Sequence, residues 1–243
     1  MSDAALAVTD LHAGYDGALV LRGVSMRADL DEIVSIIGPN GAGKSTFLKA
    51  VAGIVRPASG SVVFAGADVT GLRPDRLARR GLGFVPQLDN VFPTLTVAEN
   101  LHVGAQALRR DDRGDAIAAV LDQFPFLRDR RRQRAGTLSG GQRKLLALGR
   151  ALVGRPSLLL LDEPSAGLSP QATDLVFGEL EGIRDRGIGI VMVEQNARRA
   201  LALSSRGYVL DMGRNAHEGT GADLLDDPRV AELYLGSMTS ARS

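Results

Sequence analysis

Cysteine is absent from the 243 residues, which excludes disulfides, thiolate catalysis and cysteine-type zinc sites. Long apolar runs are absent too. Stretches such as Leu158 to Leu161 fall far short of the ~18 to 20 residues that cross a bilayer, so any membrane role must pass through partners. Neither sign of charge is in excess. With 29 Lys and Arg against 28 Asp and Glu, the formal charge is +1, and there is no global electrostatic case for gripping a nucleic acid. Lysine is scarce: Lys44, Lys49 and Lys144 stand alone among arginines, which makes the placement of Lys44 informative. His12, His102 and His217 are too scattered to suggest a metal cluster, and surface or packing roles are expected for each. The start, Met1-Ser2-Asp3-Ala4-Ala5, shows no basic segment followed by an apolar one, so a cytoplasmic address without a secretory signal is expected.

What is present suffices for one globular unit. At 44% hydrophobic and 23% charged residues the chain can bury a sizeable core. Val20 to Val34 reads as strand and turn material, and Ile33 to Ile37 as a buried strand ending at Gly38. Phe47, Leu48, Val51 and Ile54 then recur at helical spacing until Arg56-Pro57. Gly60 to Phe64 and Gly81 to Val85 read as strands around a polar segment, Asp68 to Arg80. From Leu88 to Arg150 the pattern is helical, with helices expected over Val97 to Leu108 and Asp115 to Phe124. Leu158 to Leu161, Ile188 to Val193 and Tyr208 to Leu210 return to strand, with a helix over Ala172 to Arg184, and Ser237 to Ser243 is expected to fray. The class is α/β, with a helical insertion in the core.

Gly38-Pro39-Asn40-Gly41-Ala42-Gly43-Lys44-Ser45-Thr46 matches G-x-x-x-x-G-K-[ST] between a buried strand and a helix. Glycines let backbone N–H groups converge on phosphate, the helix N-terminus adds positive potential, Lys44 reaches the β- and γ-phosphates and the Ser45 hydroxyl suits Mg²⁺. A dinucleotide fingerprint would need glycine where Thr46 stands, so that reading fails. Asp162 and Glu163 close the apolar run Leu158 to Leu161. Strand ends of one polarity gather on one edge of a parallel sheet, so Asp162 can orient the metal and Glu163 can polarise an attacking water as general base. Leu138-Ser139-Gly140-Gly141-Gln142 opens a helix and forms a second anion site, about a hundred residues from the first. Two phosphate loops are too many for one nucleotide, and a twofold dimer, with each ATP between the first loop of one subunit and the second loop of the other, resolves the excess.

These motifs resemble the ATP-binding-cassette ATPase family over nearly the whole chain. Gly38 to Thr46 and Leu158 to Glu163 look like its Walker A and Walker B motifs, and Leu138 to Gln142 looks like its signature sequence. The resemblance implies a single domain over 1–243. Its nucleotide-binding α/β core would cover 1–87 and 151–243, with a P-loop NTPase sheet, mostly parallel, and an N-terminal antiparallel β part; 88–150 would be an inserted helical subdomain. It further implies that Tyr15 stacks on adenine, and that Gln87 senses Mg²⁺ and water while its loop meets the membrane subunit.

Where most members have a histidine that contacts the γ-phosphate, this chain has Gln195, which can hydrogen-bond a phosphate oxygen but cannot become cationic. Many members have aspartate at the place of Ser169, and usually glycine at Asp31, where aspartate also tolerates a turn. With Thr94 to Leu101, Asp227-Pro228 and Tyr234-Leu235-Gly236, these departures look like the branched-chain amino-acid importer group. That group implies a second ATPase subunit, permease subunits in the membrane and an extracytoplasmic solute-binding protein. Because an amide cannot become cationic, Gln195 is expected to make this chain's own Walker site slower than one supplied by a His-bearing partner. Other solutes such as urea, amides or an exported lipid, a soluble non-transport cassette ATPase, and a module that holds ATP without hydrolysing it remain as rival readings. Arg128 to Arg134 reads as a solvated loop.

Overall fold

Short apolar runs without polar alternation become central strands when both faces are covered. That is the case for Ile33–Ile37, Leu158–Asp162 and Gly189–Val193, in which every residue is buried. A computed structural model describes residues 4–88 and 90–234; Leu235, Gly236 and the expected frayed tail at Ser237 to Ser243 lie outside the described residues.

The chain opens with β1 (Leu6–Tyr15), β2 (Ala18–Ala28) and β3 (Ile33–Ile37), then α1 (Lys44–Val51) and β4 (Ser59–Phe64). β5 (Ala67–Asp68), α2 (Pro74–Ala78) and β6 (Leu82–Val85) lead into the helical stretch: α3 (Val97–Gly104), α4 (Arg113–Gln123), α5 (Pro125–Asp129) and α6 (Gly140–Val153). The chain then returns to β7 (Leu158–Asp162), α7 (Pro170–Arg184), β8 (Gly189–Val193), α8 (Ala197–Leu203) and β9 (Arg206–Asp211). It ends in β10 (Arg214–Gly219), α9 (Gly221–Asp226) and α10 (Pro228–Tyr234).

Two sheets form. One is antiparallel, in the order β2-β1-β4-β5; the other runs β10-β9-β3-β8-β7-β6, parallel except for the β9–β10 hairpin. Side chains alternate across each central strand. Leu158 and Leu160, Val191 and Val193, Val34 and Ile36 join α1 and the antiparallel sheet in one apolar core. Leu159 and Leu161, Ile190 and Met192, Ile33 and Ile37 join the helices in the other. The parallel sheet is therefore covered on both faces, which leaves the loops at its carboxyl edge open to solvent.

Several expected boundaries move, each for a local reason. The helix after Gly43 ends at Val51 rather than carrying Ile54, because Gly53 takes φ of 72° and a Cβ there would meet Leu72 O at 1.9 Å; Ile54 is half exposed. Val97 to Leu108 is not one helix. α3 stops at Gly104, where a Cβ would strike Arg150 O at 2.1 Å, and a 3₁₀ turn over Ala105–Ala107 follows. The polar segment Asp68 to Arg80 holds α2, whose Leu77 is buried. β1 escapes period-two reading because its register shifts between Val8 and Leu11, where Asp10 has φ of 49°, and β10 escapes because it is a polar edge strand. Asp31, where glycine is usual, sits in a left-handed turn at φ of 66°. Arg128, Arg130, Arg131, Arg132 and Arg134 are exposed.

α6 is the spine of the helical side. It packs against α3, α4, α7 and β6, and continues through residue 150 to Val153. α3 is tied to the preceding loop by Asn100, which is fully buried: its Oδ1 accepts from Phe92 N at 2.8 Å, and its Nδ2 donates to Phe92 O and Thr96 O at 3.1 and 2.9 Å. Thr96 and Glu99 close a capping box on the same turn. Replacing Asn100 by leucine keeps the branched shape, at a slightly larger volume, but leaves Phe92 N without its acceptor; Phe92 O and Thr96 O keep only their bonds from Leu95 N and Asn100 N. Asn100→Leu is expected to cost about 2–4 kcal/mol in a urea-unfolding titration, and a change below about 0.5 kcal/mol would contradict the role.

Candidate functional site

Four loops leave the parallel sheet on one edge. Register places Ile36 opposite Val193, Val193 opposite Asp162 and Leu161 opposite Val85, so the loops after β3, β6, β7 and β8 emerge side by side. The first carries Gly38 to Thr46, the second Gln87, the third Asp162-Glu163 and the fourth Gln195.

The first loop needs its glycines. Gly38, Gly41 and Gly43 have φ of 145°, 83° and 98°, and a Cβ on Gly38 would lie 2.1 Å from Leu210 O. Lys44 begins α1, is 6% exposed, and donates from Nζ to Gly38 O at 2.8 Å and Pro39 O at 3.0 Å. Burial pushes its pKa down, while Glu163 and Asp162 oppose that shift. A cavity of about 340 Å³ is lined by Val20, Asn40, Gly41, Gly43, Lys44, Ser45, Thr46 and Glu163. Its chemistry, backbone N–H groups at a helix start with one lysine, suits a polyphosphate.

Ser45 Oγ donates to Asp162 Oδ1 at 2.9 Å, joining α1 to the end of β7. Asp162 shares the face of Leu158 and Leu160, which is the α1 side, so the period of two delivers its carboxylate to Ser45. Gln87 Nε2 donates to Glu163 Oε2 at 2.7 Å, which leaves the Gln87 amide oxygen free to accept. Ser45, Asp162 and Gln87 thus present oxygen donors, the ligand type Mg²⁺ prefers, and the residues fit that ion.

Glu163 itself is strained. Its φ is 46°, a left-handed position that costs a non-glycine residue about 1–3 kcal/mol and persists only where neighbours over-determine it. Its N–H donates to Val193 O at 2.9 Å, and its C=O accepts from Lys144 Nζ at 3.2 Å. Gln195 follows β8 and is exposed, and only its backbone carbonyl is engaged, by Ala197 N at 2.9 Å.

Leu138 to Gln142 form the start of α6. Ser139 caps the helix: its Oγ accepts from Gln142 N at 3.3 Å, and Gln142 Oε1 accepts from Ser139 N at 3.1 Å. Gly140 and Gly141 supply N–H groups of the first turn, which have no acceptor within a helix. Gly141 also permits close packing, since a Cβ there would sit 2.9 Å from Ala172 Cβ of α7. None of Leu138 to Gln142 lines the phosphate cavity of its own chain. Tyr15 does not line it either; it ends β1 at the hairpin to β2 and is 46% exposed.

Two residues escaped the sequence reading. Lys144 and Glu194 are 7% and 1% exposed. Lys144 Nζ donates to Gln87 O at 3.0 Å as well as to Glu163 O, and Glu194 accepts from Ser165 N and Oγ at 2.8 and 2.9 Å. Burial lowers the pKa of Lys144 and raises that of Glu194. The available signal was positional: Lys144 stands four residues before Leu148 and eight before Leu152, on the apolar stripe of its helix, where a lysine needs a partner.

Residues 21–166 match the ABC transporter family. The chain is 45% identical to the high-affinity branched-chain amino acid transport ATP-binding protein BraG of Pseudomonas aeruginosa, over 91% of this chain and 95% of that one. It is 35% identical to the lipopolysaccharide export system ATP-binding protein LptB of Escherichia coli, over 96% and 98%. Its fold is similar to a crystal structure of the ADP conformation of an ATP-binding cassette of an ABC transporter, with a TM-score of 0.86, 28% identity, and coverage of 97% and 100%.

Proposed function

This chain belongs to the ABC transporter family as an ATP-binding subunit whose ATP hydrolysis is coupled to transport, and on that premise we propose that it powers import of branched-chain or other hydrophobic amino acids. The observation that carries the solute is the identity with BraG, ten percentage points above that with LptB over comparable spans.

In this reading Gly38 to Thr46 wrap the phosphates of ATP, Lys44 neutralises the β- and γ-phosphates, and Tyr15 stacks on adenine. Mg²⁺, held by Ser45, Asp162 and the amide oxygen of Gln87, would when bound offset phosphate charge. The Glu163 carboxylate takes a proton from water as its oxygen attacks the γ-phosphorus, the bridging P–O bond to the β-phosphate breaks, and ADP and phosphate leave. Gln195 donates an amide hydrogen bond to a γ-phosphate oxygen.

Cassettes of this family dimerise and act within transporter complexes. A dimer also accounts for the position of Ser139 to Gln142 outside their own chain's phosphate cavity: Leu138, Ser139, Gly140, Gly141 and Gln142 meet the γ-phosphate of the opposite subunit. Two bound ATP molecules close the dimer and hydrolysis reopens it, which shifts the permease subunits between outward and inward states.

No helix among the described residues is long and apolar enough to cross a membrane. The likeness to a transport ATP-binding protein supports a peripheral place at the cytoplasmic face of the cell membrane, with solute delivered by an extracytoplasmic binding protein. Leu88 and Phe92, on the loop after Gln87, are exposed, and the Arg150 guanidinium lies 5.1 Å from the Phe92 ring centre. Arg150 borders a 280 Å³ groove lined by Leu77, Phe84, Val103 and Ala151, a seat for an apolar segment of the permease. The test is reconstitution of the complex in proteoliposomes. Leucine-, isoleucine- or valine-loaded binding protein is expected to stimulate ATP turnover severalfold; stimulation by urea, amides or a lipid alone would replace the solute assignment.

A further inference from the structure

A buried lysine is costly unless its donors are used, and Lys144 uses them on the two loops that meet at the hydrolytic edge. Its Nζ donates to Gln87 O and Glu163 O, while the side chains of those same two residues bond to each other through Gln87 Nε2 and Glu163 Oε2. The result is a closed ring: one ammonium holds both backbones, and the two side chains project from those backbones into contact. Glu163 is the member that needs holding, since its left-handed φ of 46° is unfavourable for a glutamate. Val193 O secures its N–H from β8, and Lys144 secures its C=O from α6.

The position of Lys144 gives the ring a second consequence. It is the fifth residue of α6, two residues after the Ser139–Gln142 capping box, so the second glycine loop and the tie to Glu163 sit on one helix start. Glu194, Asp162 and Glu163 are the carboxylates whose charge favours the buried ammonium, and Glu194 is itself anchored by Ser165 N and Oγ on the loop that follows Glu163. Packed apolar residues in place of both Lys144 and Glu194 could serve mere stability as well as these buried charges do. What an apolar residue could not do is donate to both carbonyls.

We propose that Lys144 is a positioning residue for hydrolysis, fixing the strained backbone of Glu163 from the helix that bears the second glycine loop. Engagement of Ser139 to Gly141 with the opposite nucleotide is thereby felt at the carboxylate that activates water. The inference rests on the reading of Glu163 as general base.

The experiment measures ATP turnover of the assembled transporter carrying Lys144→Met, or Lys144→Met with Glu194→Gln, beside wild type and Glu163→Gln. Lys144→Met is expected to lower kcat about 10- to 100-fold with KM for ATP within about twofold. It also removes the donor to two carbonyls and a cation near buried Glu194, so its melting temperature falls. The double variant also removes the Glu194 charge; it is expected to regain part of the melting temperature and not kcat, because methionine still cannot donate to Glu163 O. Wild-type kcat in the double variant, or a KM that rises in step with the loss of kcat, overturns the proposal, since the lysine would then serve folding or ATP binding. Full turnover by Glu163→Gln in the same assay would instead remove the general-base reading itself.

Discussion

Glu163→Gln is expected to lower ATP turnover of the assembled transporter by about 10²- to 10⁴-fold, the usual contribution of a positioned general base, while ATP binding stays within about twofold of wild type. The split follows from the geometry. Glu163 contributes to the wall of the phosphate cavity, but the wrapping of phosphate falls to Asn40, Gly41, Gly43, Lys44 and Ser45. Glutamine is isosteric, and its amide oxygen can still accept from Gln87 Nε2, now 2.7 Å from the carboxylate, so the loop geometry survives and only the basic oxygen is lost. Pre-steady-state turnover with bound ATP measured separately is the decisive pair of observations. Turnover at the wild-type rate would assign the proton to another group.

Lys44→Ala is expected to act on the other half of the problem, weakening ATP binding at least about 100-fold, or about 2.7 kcal/mol. Lys44 is a buried ammonium at the floor of an open cavity that no second lysine lines. Its removal leaves Asp162 and Glu163 near the phosphates without a compensating cation, so the field at the cavity reverses toward repulsion of a polyanion. Equilibrium titration of the purified chain with a fluorescent ATP analogue checks this. An unchanged affinity would mean that the backbone N–H groups of Gly38 to Thr46 bind triphosphate unaided.

The legible part of the site was the part written in contiguous residues. Gly38 to Thr46 declare a turn that only glycine tolerates, followed by a helix start, and Leu158 to Glu163 declare a doubly buried strand with carboxylates at its end. Ser139 and Gln142 sit three apart because a capping box demands it. Period-two and period-3.6 patterns located the central strands of the parallel sheet and the five longest helices, but not α2, α5, α8, α9 or α10, because burial leaves a legible trace only along a segment of sufficient length. Reading failed where two distant segments set the outcome. Gly53 ends a helix in a left-handed conformation against Leu72 O, Gly104 lets α3 pass close to Arg150 O, and β10 forms from polar residues because β9 offers a partner.

The residues themselves determine that this chain binds a triphosphate in an α/β cassette, because the loop, the strand-end carboxylates and the second glycine loop are each local consequences of glycine freedom, apolar runs and helix capping. Tertiary structure alone decided that Ser45 faces Asp162, that Gln87 reaches Glu163, and that Lys144 and Glu194 belong to the same assembly. Those pairings span up to 117 residues between hydrogen-bonded partners, and strand order in the parallel sheet, which no local pattern encodes, is what brings them to one edge.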